Sequence, residues 1–298
     1  MEELYKLIPD DYARVISRRL ALDKLCEIRV RNGKPVRVCY DGGYFYLGEN
    51  GLTKIADEAF TAGRSEAESI IMRACDRSLY TVTDTLKLGY ISVASGVRIG
   101  VCGTSVMSNG QVSAVKDFTA VNIRLPHEVK NCAASLFCKT VSDSVPNILV
   151  ISPPGAGKTT VLRDLCRIIS DRGYNVLLCD EKYELAAVHD GAPTLDVGSC
   201  TDVISGSDKK HAFKVGISSM RPDVIMTDEL FFEDMPFVER AAHCGISVIA
   251  TVHAKDVADM RQKPELRAIL DNHIFTRYAV ISPPPYRDIA VYSDAEAI

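Results

Sequence analysis

The chain has no tryptophan, no C-x-x-C pair, no internal repeat and no low-complexity tract. The missing tryptophan excludes nothing, but the other absences do. No stretch reaches the roughly 18 consecutive apolar residues that a membrane-spanning helix needs, so no spanning segment is expected. The opening residues, Met1-Glu2-Glu3-Leu4-Tyr5-Lys6, lack the basic and apolar regions of a secretory leader. Ten cysteines without a leader read as reduced thiols of a cytosolic chain, and without C-x-x-C spacing they do not point to zinc. Cys75, Cys102, Cys166, Cys179 and Cys244 lie among apolar neighbours and are expected as small core residues. Basic charge is not in excess either: the formal net charge is −4, which argues against a dedicated nucleic-acid surface.

Against these absences one stretch stands out, from Asn147 to Arg172. An apolar run, Ile148-Leu149-Val150-Ile151, leads through Ser152-Pro153-Pro154-Gly155-Ala156-Gly157-Lys158-Thr159-Thr160 into a segment with Val161, Leu162, Leu165, Ile168 and Ile169 on one helical face. Strand, glycine loop, Gly-Lys-Thr and helix make a phosphate-binding P-loop. Glycines let the backbone wrap around phosphate oxygens, and a helix N-terminus offers unpaired N–H groups and a positive dipole end. Residues Pro154, Gly155, Ala156, Gly157, Lys158, Thr159 and Thr160 are therefore assigned to ATP, with Lys158 reaching the β- and γ-phosphates and Thr159 ligating Mg²⁺. The motif places glycine five positions before Gly157, where this chain has Ser152. A cost follows if that position needs a positive φ.

With 298 residues there is room for about two domains. The first part reads as α+β. A leading helix over 1–23 gives way to period-two alternation in Cys26-Glu27-Ile28-Arg29-Val30-Arg31 and Val36-Arg37-Val38-Cys39-Tyr40, the pattern of an antiparallel meander with one wet face. A helix is expected over 64–79, then further strands from Leu88 to Val93, Val97 to Gly103 and Val121 to Leu125, and a connecting helix over 127–141. Residues 1–140 are assigned to this domain and 141–298 to the second.

The second part alternates helices with near-continuous apolar strands: the run before the P-loop, Val176-Leu177-Leu178-Cys179, Val224-Ile225-Met226-Thr227 and Ser247-Val248-Ile249-Ala250-Thr251. That pattern implies a mainly parallel sheet covered on both faces, with function collected at the carboxyl ends of its strands. Residues 188–208, rich in Gly, Ser, Thr and Asp, read as a long functional loop. Three strand ends then carry chemistry. Asp228 is placed to hold Mg²⁺ opposite Thr159, and Glu229 to orient or deprotonate an attacking water, which hydrolysis requires. Thr251 and His253 either sense the γ-phosphate or serve packing. Asp180, Glu181 and Glu184 either orient water or Mg²⁺ or cap a helix.

These motifs resemble the stage III sporulation protein AA family, relatives of the type II and type IV secretion ATPases. The likeness runs through Glu27-Ile28-Arg29-Val30-Arg31, Gly89-Tyr90-Ile91, Val97-Arg98-Ile99-Gly100, Asn122-Ile123-Arg124, the P-loop, Asp180-Glu181, Leu195-Asp196-Val197-Gly198, Thr201-Asp202-Val203, Arg221-Pro222-Asp223-Val224-Ile225, Asp228-Glu229 and Gly245-Ile246-Ser247-Val248. The resemblance implies a RecA-like P-loop ATPase domain behind a smaller α+β N-terminal domain. It also implies a homo-oligomeric ring, hexameric in expectation, working in the mother-cell cytoplasm. The ring would be peripheral to the membrane through the proteins of a channel complex that faces the forespore. In the secretion ATPases N-terminal arginines close over the nucleotide, and Arg98 and Arg124 stand on matching segments; they are either such residues or solvated strand residues. The chain departs from the family's arginines at Lys182 and Cys200, and Leu230-Phe231-Phe232 replaces an Ile-Gly-polar sequence. Slow turnover is expected from the lost arginines, and a contact patch from the phenylalanines. A nucleotide-gated structural component with negligible hydrolysis is the alternative.

Overall fold

The computed structural model describes residues 2–75, 86–87, 89–93, 96–108, 110–126, 128–188, 191–282 and 288–294. Residue 88, the turns at 94–95 and 109, and the expected helix end at 76–79 lie outside the described residues. The chain divides into two units, Met1–His127 and Glu128–Ile298, each with its own sheet.

In the first unit helices α1 (Glu2–Leu7) and α2 (Asp10–Arg19) precede strands β1 (Leu25–Arg31), β2 (Arg37–Tyr40), β3 (Gly43–Gly48) and β4 (Gly51–Thr53). Helix α3 (Glu66–Ala74) and strands β5 (Tyr90–Ser92), β6 (Arg98–Ser108) and β7 (Gln111–Arg124) follow. The two β stretches of the sequence close into one sheet of order β4-β3-β2-β1-β7-β6-β5, because β7 returns antiparallel beside β1. Period-two alternation sorts its faces. Ile28, Val30, Val38, Ile99, Val121 and Ile123 are buried with Leu4, Ile16, Ile70 and Ile71 of the helices, while Arg29, Arg37, Arg98 and Arg124 occupy the alternate positions.

The second unit contains α4 (Ala134–Thr140), β8 (Ile148–Ser152), α5 (Lys158–Asp171), β9 (Val176–Asp180), β10 (Thr201–Ser205) and α6 (Lys209–Val215). It continues with β11 (Val224–Thr227), α7 (Met235–His243), β12 (Ser247–His253), α8 (Val257–Gln262), α9 (Pro264–Leu270), β13 (Arg277–Ile281) and β14 (Ile289–Ser293). The sheet order is β10-β9-β11-β12-β8-β13-β14, parallel from β10 through β13, with β14 antiparallel at the edge. Both faces are apolar, which explains the unbroken hydrophobic runs. Ile148 and Val150 pack under α4 and α5, whereas Leu149 and Ile151 pack with Phe213, Val238 and Met260 on the other side. Among the described residues no helix is long and apolar enough to cross a membrane.

Three expectations change. The connecting helix α4 belongs to the second unit, since Leu136 and Phe137 are buried with Leu162 and Leu165; the division therefore falls after 127 instead of at 140. The polar stretch 188–208 is not all loop, because β10 pairs with β9 along its last residues as an edge strand, where polar residues are tolerated. Cys75, Cys166 and Cys179 are buried as expected, but Cys102 and Cys244 are exposed. Cys102 lies where the β6–β7 hairpin leaves the sheet's covered part, and Cys244 caps α7 at its solvent end.

Candidate functional site

Strand β8 is buried along its whole length and delivers the chain to Ser152. Ser152 is fully buried, pairs in register with His253 of β12, and is not among the positive-φ residues. The cost anticipated for a missing glycine there does not arise, because an extended position suits serine. The turn itself does need glycine: Gly155 and Gly157 have φ of +79° and +94°. No atom lies within 4 Å of an ideal Cβ at either position, so backbone conformation and not crowding selects them. Gly157 caps α5, whose first residues, Lys158, Thr159 and Thr160, leave their N–H groups at the loop.

Asp228 follows β11 and is the hub of the site. Its Oδ2 accepts from the Thr159 hydroxyl at 3.1 Å, and its Oδ1 lies 3.4 Å from the Lys158 ammonium. The same Oδ1 accepts from the Thr251 hydroxyl at 2.5 Å and from the Glu229 backbone N–H at 3.0 Å. Burial pushes the Asp228 carboxyl upward, but Lys158, the two threonine hydroxyls and the Glu229 N–H outweigh it and hold the group below its ordinary value. Thr251 thus positions the acid, and it also accepts from the Glu229 N–H at 2.9 Å. Those bonds accompany Glu229 at φ +46°, a left-handed conformation that non-glycine residues adopt uncommonly.

The Glu229 side chain meets two bases. Its Oε2 forms an ion pair with Lys182, and its Oε1 lies 3.7 Å from His253 Nε2. The Lys182 hydrogen bond is the main reason the Glu229 carboxyl titrates below its usual range. His253 Nε2 is in turn 3.5 Å from the Lys158 ammonium. The structure therefore brings Lys158, Thr159, Asp228, Glu229 and His253 into one cluster at the carboxyl ends of β8, β11 and β12.

The acids at the end of β9 and in the turn after it have partners of their own. Asp180 is 2% exposed, and its two oxygens accept from the backbone N–H groups of Glu184, Leu185, Ala186 and Ala187 at 2.8, 3.0, 2.9 and 3.2 Å. Arg163 of α5 holds the same turn from its carbonyl side, donating to Leu185 at 2.7 Å and Glu184 at 2.6 Å. Asp180 thus anchors this turn. Glu181 is taken by the buried Lys209 at 3.0 Å. Lys182, noticed in the sequence only as a departure, is the residue of this segment that touches Glu229; its place directly after a buried strand was the available signal.

Other residues sit elsewhere. Cys200 precedes β10 at the end where β10 pairs with Val176, the start of β9, roughly 15 Å along the strands from Asp180. Position 200 therefore lies outside the cluster around Asp228. Arg98 and Arg124 face each other across β6 and β7 in the first unit. The Arg98 guanidinium lies 4.0 Å from the Tyr90 ring centroid, and Arg124 is 3.9 Å from Glu27. Phe231 and Phe232 are 52% and 46% exposed, with the Lys209 ammonium over the Phe231 ring. A cavity of about 420 Å³ lined by Tyr174, Ile217, Arg221 and Ile246 opens at the amino ends of β11 and β12, the pole away from the P-loop, so it is no part of this cluster.

The sequence profile of the family described as "Sporulation stage III, protein AA" matches residues 1–287. The chain belongs to that family. Stage III sporulation protein AA of Bacillus subtilis (strain 168) is 30% identical over 290 residues, spanning 95% of this chain and 91% of the relative. Among solved structures, the pilus retraction motor PilT with bound ADP is similar at a TM-score of 0.56 and 17% identity, covering 93% of this chain and 80% of that one. The Yersinia pseudotuberculosis ATPase DotB gives 0.55 at 17% identity, over 87% and 71%. At such identity the likeness shows the fold, which this chain shares with those two proteins.

Proposed function

We propose that the chain is a Mg²⁺-dependent, slowly turning ATPase of the secretion type, one subunit of a homo-oligomeric ring with a hexamer favoured. The ring energises or assembles a channel complex between mother cell and forespore during sporulation. It works on the mother-cell side and is held at the membrane by partner proteins, without a nucleic-acid substrate. The observation that carries this reading is the Asp228 carboxylate set between the Thr159 hydroxyl and the Lys158 ammonium, at 3.1 and 3.4 Å.

The donor set fits Mg²⁺. Asp228 and Thr159 offer hard oxygens, and among the described residues no group of three or more acids, histidines or cysteines competes to cage a metal. Magnesium favours such sparse sites, completing its shell with water and substrate phosphate. When bound, it neutralises charge on the β- and γ-phosphates. The residues do the rest: the loop Pro154–Thr160 cradles the phosphates, Lys158 binds the β- and γ-oxygens, and Glu229 orients water. While Lys182 holds it below its usual range, the carboxylate is a weak proton acceptor and serves to orient water. Arg98 and Arg124, adjacent on one sheet face, are the N-terminal cations offered to the triphosphate.

A second reading, nucleotide gating with negligible hydrolysis, draws on the capture of the Glu229 carboxylate by Lys182. Three variants separate them. Wild type should bind and hydrolyse Mg-ATP, Lys158→Ala should lose binding, and Glu229→Gln should bind but not hydrolyse, accumulating as an ATP-bound ring in native mass measurement. Wild-type ATP affinity in Lys158→Ala would overturn the P-loop assignment. Undetectable wild-type turnover with intact binding would favour gating.

A further inference from the structure

Lys182 leaves the end of β9 with a side chain 55% exposed, and its ammonium rests on Glu229, itself 26% exposed. The other Glu229 carboxylate oxygen, Oε1, is 3.7 Å from His253 Nε2, the imidazole is 3.5 Å from Lys158, and Lys158 is 3.4 Å from Asp228. Asp180, Lys182, Glu184, Asp228 and Glu229 line one small cavity between the ends of β9 and β11. The two lysines differ in setting: Lys158 is 8% exposed at the start of its helix, whereas Lys182 is 55% exposed on the turn after β9.

We propose that Lys182 is a further catalytic residue of this site, an exchangeable cation that rests on Glu229 and moves to the γ-phosphate when ATP binds. This rests on the ATPase reading above. The physical reason is competition for one ammonium. A γ-phosphate carries more charge than a carboxylate and presents three acceptor oxygens, so it outbids Glu229 at comparable distance. ADP lacks that group and leaves the pair in place. One displacement then does two things: it adds a cation beside the transferring phosphoryl group, and it frees the carboxylate that handles water. In the step itself the water oxygen bonds to the γ-phosphorus, and the bond to the β–γ bridging oxygen breaks with its electron pair leaving on ADP. The water proton passes to Glu229 and from there to the released phosphate.

The competing role is a tie between two strand ends, an exposed ion pair with little effect on ligands. A double-mutant cycle on affinities tells them apart without relying on turnover. The full-length protein is titrated with Mg-ADP and with the slowly hydrolysed Mg-ATPγS, and the ratio of the two dissociation constants is compared across wild type, Lys182→Met, Glu229→Gln and the double variant. Glu229→Gln should raise the preference for ATPγS about 5- to 10-fold, because nothing then holds the ammonium back. Lys182→Met should lower it about tenfold, and the double variant should match Lys182→Met. ADP affinity unchanged throughout shows that each variant is folded. Turnover should fall about 10²-fold in Lys182→Met and recover to within about tenfold in Lys182→Arg. A preference ratio that neither substitution moves overturns the proposal, as does equal or faster turnover in Lys182→Met. If wild type binds neither nucleotide, the ATPase reading fails and takes this inference with it; if it binds both and the ratio stays fixed, the inference alone fails.

Discussion

Replacing Asp180 by alanine tests whether a buried carboxylate organises the floor of the site. The side chain accepts four backbone N–H bonds, from Glu184, Leu185, Ala186 and Ala187, and is 2% exposed. An N–H left unsatisfied in a buried setting costs about 1–3 kcal/mol. The four do not add fully, since Glu184 is half-buried and water can reach it, and Arg163 continues to hold the carbonyls of Glu184 and Leu185. The expected loss is therefore about 3–4 kcal/mol for Asp180→Ala. For Asp180→Asn, whose remaining oxygen still accepts two bonds, it is about half that. With roughly 2–4 °C per kcal/mol for a unit of this size, the second unit should melt about 6–16 °C lower in the alanine variant. Calorimetry measures this, and amide exchange locates it: protection of residues 184–187 should fall about 10²-fold while that of β8 and β12 changes less. A loss below about 1 kcal/mol with those amides still protected would refute the anchoring role.

Two further outcomes are expected. Asp228 is held below its ordinary carboxylate value in the folded chain, so its contribution to stability is present above about pH 4 and disappears as pH falls through the lower folded value. Asp228→Asn should flatten the acid side of the stability profile below about pH 4, and an unchanged slope in acid titrations would contradict the assignment. Mixing an Arg98→Ala/Arg124→Ala protein with a Glu229→Gln protein should restore part of the ATPase activity if the arginines reach the triphosphate of a neighbouring subunit. Failure to restore, with the arginine variant dead by itself, places the contact within one chain, and full activity of that variant removes the arginines from the mechanism.

What the sequence determined by itself was local. The P-loop is contiguous, its glycines are needed at positive φ within one turn, and Lys158 and Thr159 follow at fixed spacing, so the phosphate cradle could be assigned before any fold was known. Strands buried on both faces announce themselves as unbroken apolar runs, and a wet antiparallel sheet as alternation; both survive as β8, β9, β11 and β12 and as β1 and β2. The Asp228-Glu229 pair was legible for the same reason, being two neighbours at the end of such a run. Helix α4 was assigned to the wrong unit because its apolar face says that it packs, not against what. Only the tertiary structure decided which groups meet. Strand order sets the ends of β9, β11, β12 and β8 side by side, so Lys182 finds Glu229 and Thr251 finds Asp228 across 47 and 23 residues of chain. The same order sends Cys200 to the opposite pole. It also turns Asp180 inward, where its two oxygens accept from four backbone N–H groups. Those outcomes depend on register and on the direction of each turn, and neither is written in the spacing of residues along one strand.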